Sequence, residues 1–365
     1  MKEGKKTRSV PFKIFRAILS IILVIIILFV GLIGFLTITE YKPDDTETIK
    51  VEGSAGNTLS LDDDFTIMSW NIGYGALGDN ADFFMDGGES VKTADLERVK
   101  SNMQGIINII NEVDPDIFFL QEVDLDSTRS NKYGEYSLLK DNFTDYSTSF
   151  ANNFKVAFLP YPVPPIGKVD SGIATFSSYN LNSSERIQLP ISFSWPVRMA
   201  NLKRCLLVSR VSIEGTDKEL VLVNLHLEAY DSGEGKIAQT KMLANFLNEE
   251  ANKGNYVIAG GDFNQIFSSA DTNAYPAQEG KWAAGEIDVS EIAGDWQFLM
   301  DERNPSCRSL DQPYEGADKE TFQYYLIDGF IVSGNITVES CETQDRGFVY
   351  TDHNPVVLQL NFNKE

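Results

Sequence analysis

Tyr256-Val257-Ile258-Ala259 runs directly into Gly260-Gly261-Asp262-Phe263-Asn264. Four apolar residues stopped by glycines read as a short buried strand. The carboxylate and amide behind it are residues an interior would not choose. The same ending recurs along the chain. Phe65-Thr66-Ile67-Met68-Ser69-Trp70-Asn71 alternates as a strand and stops at Asn71. Asp116–Glu122 is apolar until Gln121-Glu122, and Leu220–Leu225 leads through Asn224-Leu225 to His226. Tyr324–Val332 carries Ile327-Asp328-Gly329. Val356–Leu360 follows Thr351-Asp352-His353-Asn354-Pro355. Gly172–Phe176 and Cys205–Ile213 complete the strand set. Two helices are predicted. One is capped by Thr93, buries Leu96, Val99, Met103, Ile106, Ile107, Ile110 and Val113, and stops at Pro115. The other spans Lys236 to Glu250, with Ile237, Met242, Leu243, Phe246 and Leu247 inward. Many short strands with few helices predict an α/β protein of stacked sheets, not one doubly wound sheet.

Each polar residue has an ordinary reading when taken alone. Asn71 and Asn264 suit turns, Glu122 solvent, Asp262 an Asx turn, Asp352 a turn cap and His226 a hydrogen-bonded core. The set argues otherwise, because the chain has only 2 His and both belong to it. Carboxylates and amide oxygens are hard ligands suited to Mg²⁺, Mn²⁺ or Ca²⁺. Two histidines without a cysteine cluster make a poor zinc shell. Imidazoles can donate and accept protons near neutral pH. No G-x-S-x-G elbow or Walker loop is present, so a serine hydrolase or nucleotide-loop ATPase has no support.

Composition narrows the partners. The 365 residues are 42% hydrophobic and 23% charged, which excludes a wholly disordered chain. The net charge of −22 combines +4 over residues 1–40 with −26 over the rest. Such a body is a poor non-specific binder of nucleic acid. With 3 Cys the chain is no disulfide scaffold. Cys307 and Cys341 either pair outside the cell or stay free with Cys205. Spacing does not choose between them.

Ala17 to Ile38 (AILSIILVIIILFVGLIGFLTI) is uncharged. At ~1.5 Å per residue it is long enough for a hydrocarbon core of ~30 Å. It is longer than a signal-peptide core and lacks an A-x-A site after it, so an uncleaved anchor is predicted over a cleaved leader. Lys2, Lys5, Lys6, Arg8, Lys13 and Arg16 precede the span. Basic flanks stay cytoplasmic, which puts the body of this single-pass cell-membrane protein outside. The expected plan is a basic stub at 1–16, an anchor at 17–38, a polar tether at 39–60 and a catalytic domain at 61–365.

The ordered pieces SWN (69–71), QE (121–122), SGIATFS (171–177), NLHL (224–227), GGDFN (260–264), ID (327–328) and TDHNP (351–355) resemble the endonuclease/exonuclease/phosphatase superfamily. The resemblance covers nearly the whole body. It implies a four-layer sandwich, with two mixed sheets face to face and helices outside. It also implies that Asn71, Glu122 and Asp352 hold or orient the metal, with Mg²⁺ first among candidates. Asp262 and Asn264 would then position the attacking water and the phosphate. His353, held by Asp328, would act on the phosphate, with His226 assisting. Arg129, Lys168, Arg198 and Arg204 are phosphate-binding candidates, although solvated surface charge is the plainer reading for each.

The function expected is metal-dependent phosphoester hydrolysis outside the membrane, of a diester ahead of a monoester. Lipid headgroups, small phosphodiesters and nucleic acid are the substrate classes. Net acidity favours the first two. A stripe of Arg198, Lys203, Arg204 and Arg210 would favour a surface endonuclease on DNA or RNA. A non-catalytic binding protein that kept the fold is the remaining alternative.

Overall fold

The computed structural model describes residues 10–231 and 233–363. The basic residues Lys2, Lys5, Lys6 and Arg8 of the expected stub lie outside this range. Two sheets form the body. The six-stranded sheet runs in the order Ile336–Thr343, Val356–Phe362, Asp64–Asn71, Ile117–Asp124, Gly167–Ser177, Ser147–Leu159. The eight-stranded sheet has the path Thr46–Ile49, Ser183–Gln188, Cys205–Glu214, Glu219–His226, Tyr256–Asp262, Asp328–Ser333, Trp296–Leu299, with Leu59–Ser60 paired beside Cys205–Glu214.

Alternation along the strands builds the layers. Ile67, Phe119, Leu222, Ile258 and Leu358 pack between the sheets. Their strand neighbours face outward. Trp70 and Phe118 meet the helix Leu96–Val113, whereas Val223, Val257 and Ala259 meet the helix Glu234–Asn252. The result is the expected four-layer arrangement of helix, sheet, sheet and helix. Each fully buried aliphatic side chain in the central layer contributes ~1.5–3 kcal/mol.

Local details differ from expectation. The first helix is capped by Asp95, whose carboxylate accepts from Arg98 N, while the Thr93 hydroxyl donates to Ala76 O. Ile237, expected inward, is 68% exposed, because the helix turns Gln239, Leu243 and Leu247 to the sheet instead. All three cysteines are free.

The segment 39–60 is not a loose tether. Thr46–Ile49 pairs antiparallel with Ser183–Gln188 at the sheet edge. Ala55 N donates to Asn180 Oδ1, and the Glu40 carboxylate is buried beside Arg198 and Lys203. The preceding helix, Val10–Ile38, is longer than the apolar run and takes in Lys13 and Arg16 of the expected stub. It is long and apolar enough to cross a membrane, and Leu36 is its buried residue.

Candidate active site

Strand register assembles the centre. Asp262 stands opposite His226 on its parallel neighbour and opposite Asp328 on its antiparallel neighbour. Directly opposed residues share a face of the sheet, so three chemical groups gather in one row. Gly260 and Gly261 permit this spacing. A Cβ on Gly260 would strike the Phe330 ring, and one on Gly261, at φ +149°, would strike Leu225 O. The other sheet adds Asn71 from a strand end. Its Nδ2 donates to Asp262 Oδ2 at 3.0 Å and to Glu122 Oε1 at 3.4 Å. Glu122 sits where the register slips between Leu120 and Val123, at φ +56°. Such a bulge re-aims one side chain out of the strand's alternation.

His353 comes from the loop before the last strand. Its carbonyl accepts from Trp70 Nε1 at 2.9 Å, and its Nδ1 lies 2.8 Å from Asp328 Oδ2. His353 Nε2 is 3.9 Å from both Asp262 Oδ2 and Asp352 Oδ2. His226 Nε2 is 3.4 Å from Asp262 Oδ2 on the other side. Asp262 Oδ1 accepts from Asn264 N at 2.9 Å, and Asn264 Nδ2 donates to Leu227 O. The Thr351 hydroxyl ties Asn71 O to Asp352 Oδ1. All eight residues expected at the site are therefore brought together. Glu122, His226, Asp262, Asn264, Asp352 and His353 line one pocket of about 260 Å³, with Asn71 and Asp328 bonded behind them.

Burial and mutual charge set the proton affinities. Burial would lower the His353 pKa, but Asp328, helped by Asp352, holds it well above the ordinary imidazole range. Burial pushes His226 well below that range, and Arg204 and His353 add to the shift. The two rings are thus biased in opposite senses, His353 toward its charged form and His226 toward its neutral form. Burial raises Glu122 and Asp262, with Asp352 adding to the first and Asp328 to the second. This concentration of buried acid groups fits a bound cation. Asn71, Glu122, Asp262 and Asp352 supply hard oxygen atoms of the kind Mg²⁺ or Mn²⁺ takes. Ligand atoms of Asp262, Asp328 and His353 lie within 4.8 Å of one another, as do those of Cys307, Asp352 and His353.

The sequence underrated several neighbours. Arg204 is buried and Arg129 half-buried at the pocket wall, and both are paired. Arg129 pairs with Asp124 at 2.9 Å, stands 3.9 Å from Glu122 and stacks 3.7 Å over the Tyr74 ring. Lys168 and Arg198 instead pair with Asp126 and Glu40. Asp86, from the Gly- and Asp-rich loop, accepts from the Tyr230 hydroxyl, and burial lifts its pKa to about 7. No periodicity marks a loop carboxylate of this kind. Around the polar floor the pocket is apolar, with Leu77, Phe83, Phe154, Phe193 and Trp282 among its walls.

The sequence profile described as "Endonuclease/Exonuclease/phosphatase family" matches residues 68–353, more than half of the chain. The chain belongs to this family, whose name spans enzymes that cleave phosphoesters. Solved structures share the fold. An endonuclease/exonuclease/phosphatase from Beutenbergia cavernae is 16% identical over 82% of this chain and 72% of that one, with a TM-score of 0.53. The human Nocturnin catalytic domain with bound sulfate is 18% identical over 86% and 98%, with a TM-score of 0.51. TDP2 from D. rerio with a single-strand DNA product is 16% identical over 82% and 100%, with a TM-score of 0.50. No curated protein sequence matches the chain.

Proposed function

We propose that this protein is a divalent-metal-dependent phosphoester hydrolase that acts on a diester outside the membrane. The observation that carries this reading is Asp262, flanked by His226 and His353, with Asp328 clamping His353 from behind. In this reading Asn71, Glu122 and Asp352 hold the metal, with Mg²⁺ first and Mn²⁺ or Ca²⁺ suited to the same oxygens. When bound, the ion supplies charge for the phosphate oxygens. Asp262 orients the attacking water, and Asn264 binds a phosphate oxygen. Cationic His353 donates to the phosphate as negative charge builds, and Asp328 fixes its ring. Neutral His226 is the second proton carrier. Arg129 steadies the Glu122 side of the site.

A nuclease activity is the second reading, supported by the family's name and by the DNA product on the D. rerio protein. The basic stripe it needs is spent within the fold. Arg198 and Lys203 pair with Glu40, Arg204 with Glu228, and Arg210 with Glu219 and Glu250. Polyanion binding depends on basic groups free to displace counterions. A small or lipid-borne phosphodiester therefore fits better than duplex DNA. The test compares kcat/KM on duplex DNA and on small and lipid phosphodiesters at matched ionic strength with Mg²⁺. Efficient DNA cleavage alone, with steep salt dependence, would replace this reading with the nuclease. Hydrolysis of no phosphoester would favour a binding protein.

A further inference from the structure

We propose that the catalytic body lies against the bilayer through two apolar loop tips beside the pocket, and that it takes its phosphodiester from a lipid headgroup at that surface. The substrate half of this proposal rests on the hydrolase reading above. The first loop, 160–166, joins the strands Ser147–Leu159 and Gly167–Ser177. Its tip holds Tyr161 at 71% and Val163 at 91% exposure, while Leu159 and Ile166 at its base line the pocket. The second loop presents Trp195 and Val197, both more than half exposed, while Phe193 and Leu202 line the same pocket.

Single exposed apolar residues are normal, so their distribution is what matters. Outside the long helix and among the described residues, Leu96 and Ile237 are the exposed large apolar side chains away from this region, since Phe158 and Ile191 flank the two loops and the others lie in the loops or on the pocket wall. The rest lie around the pocket and the two loops beside it. The long apolar helix ends there too. The Thr37 hydroxyl donates to Met199 Sδ, and Trp195 Nε1 donates to Thr37 Oγ1 at 3.3 Å. Two residues beyond the helix, Glu40 is clamped by Arg198 at 3.2 Å and Lys203 at 3.4 Å. A helix that crosses a bilayer and is gripped at its exit holds the gripping loop at the membrane interface. Trp and Tyr rings favour that zone. The acidic body would be repelled by anionic lipid, so apolar contact must carry the docking, and a zwitterionic surface fits it.

The test reconstitutes the full chain in phosphatidylcholine vesicles containing sphingomyelin. A fluorophore on Val163→Cys should be quenched by nitroxide lipids far more than one on Asp217→Cys. Asp217 precedes the strand Glu219–His226, at the end opposite His226. Equal quenching overturns the docking, whatever the activity. The double variant Val163→Ser/Val197→Ser should cut hydrolysis of vesicle-borne headgroups by about tenfold or more and leave a water-soluble aryl phosphodiester within about twofold. Unchanged lipid turnover also counts against the docking. Hydrolysis of the soluble ester but of neither lipid overturns the lipid substrate. If neither ester is hydrolysed, the hydrolase reading falls and the lipid substrate with it, while quenching still decides the docking.

Discussion

Asp328 Oδ2 stands 2.8 Å from His353 Nδ1, and both side chains are buried. The carboxylate fixes the ring and holds its proton affinity up. Asp328→Asn keeps the shape and removes the charge. It should lower kcat by on the order of a hundredfold, with KM little changed. His353 gives up its proton at lower pH once that charge is gone, so the alkaline fall of kcat should move to lower pH. A pH–rate profile checks this, and an unmoved profile would separate Asp328 from the chemistry.

Metal dependence should show in two ways. A chelator should abolish hydrolysis, and added Mg²⁺ should restore it. Glu122→Gln removes one charged oxygen but spares the proton carriers. It should raise the metal concentration for half-maximal rate by about tenfold or more. A metal titration of both proteins reads the difference, and a chelator-insensitive rate would remove the ion from the account.

The central fold was legible because its strands are short, apolar and ended by chemistry-bearing residues. Asp262 and His353 could be picked out because nothing structural asks for them after apolar runs. Elements without that contrast were missed. Ser147–Leu159 is a long strand interrupted by Asn152 and Asn153, and its register slips between Asn152 and Phe154. Thr46–Ile49 is a half-exposed edge strand whose first three residues are polar, which reads as linker. Arg129 and Arg204 looked like surface charge because their partners, Asp124 and Glu228, meet them only in the folded chain. Thr93 lost the helix cap to Asp95, two residues on, since either side chain has the chemistry.

Glu250 and Arg210 make an ion pair far from the chemistry. Burial alone would raise the Glu250 pKa, but hydrogen bonds from Arg210, Lys253 and Asn255 outweigh it and bring the pKa to about 2. A lowered carboxylate pKa stabilises the fold above its unfolded value, and the gain is lost as pH falls toward 2. Glu250→Gln should cost about 2 kcal/mol at pH 7 and flatten the loss of stability between pH 4.5 and 2. Denaturant melts across that range check it. Equal slopes for both proteins would deny the pair its role.

Orientation is testable without cleavage, which the packed segment 39–60 should resist. Lys50 has 81% of its side chain exposed on that segment. A membrane-impermeant amine reagent should label it in intact cells if the basic amino terminus is cytoplasmic. Labelling only after lysis would reverse the orientation.

The most direct test of the account is the turnover of an aryl phosphodiester by the purified full chain with Mg²⁺, set beside His353→Ala and Asp262→Ala. Both residues are buried and bonded, and His353→Ala leaves the Asp328 carboxylate without its partner, so a thermal melt of each variant confirms that it is folded before rates are compared. Each should lose about 10²–10⁴ in kcat, the range set by a positioned proton carrier. Near-normal turnover by folded His353→Ala would contradict the central claim.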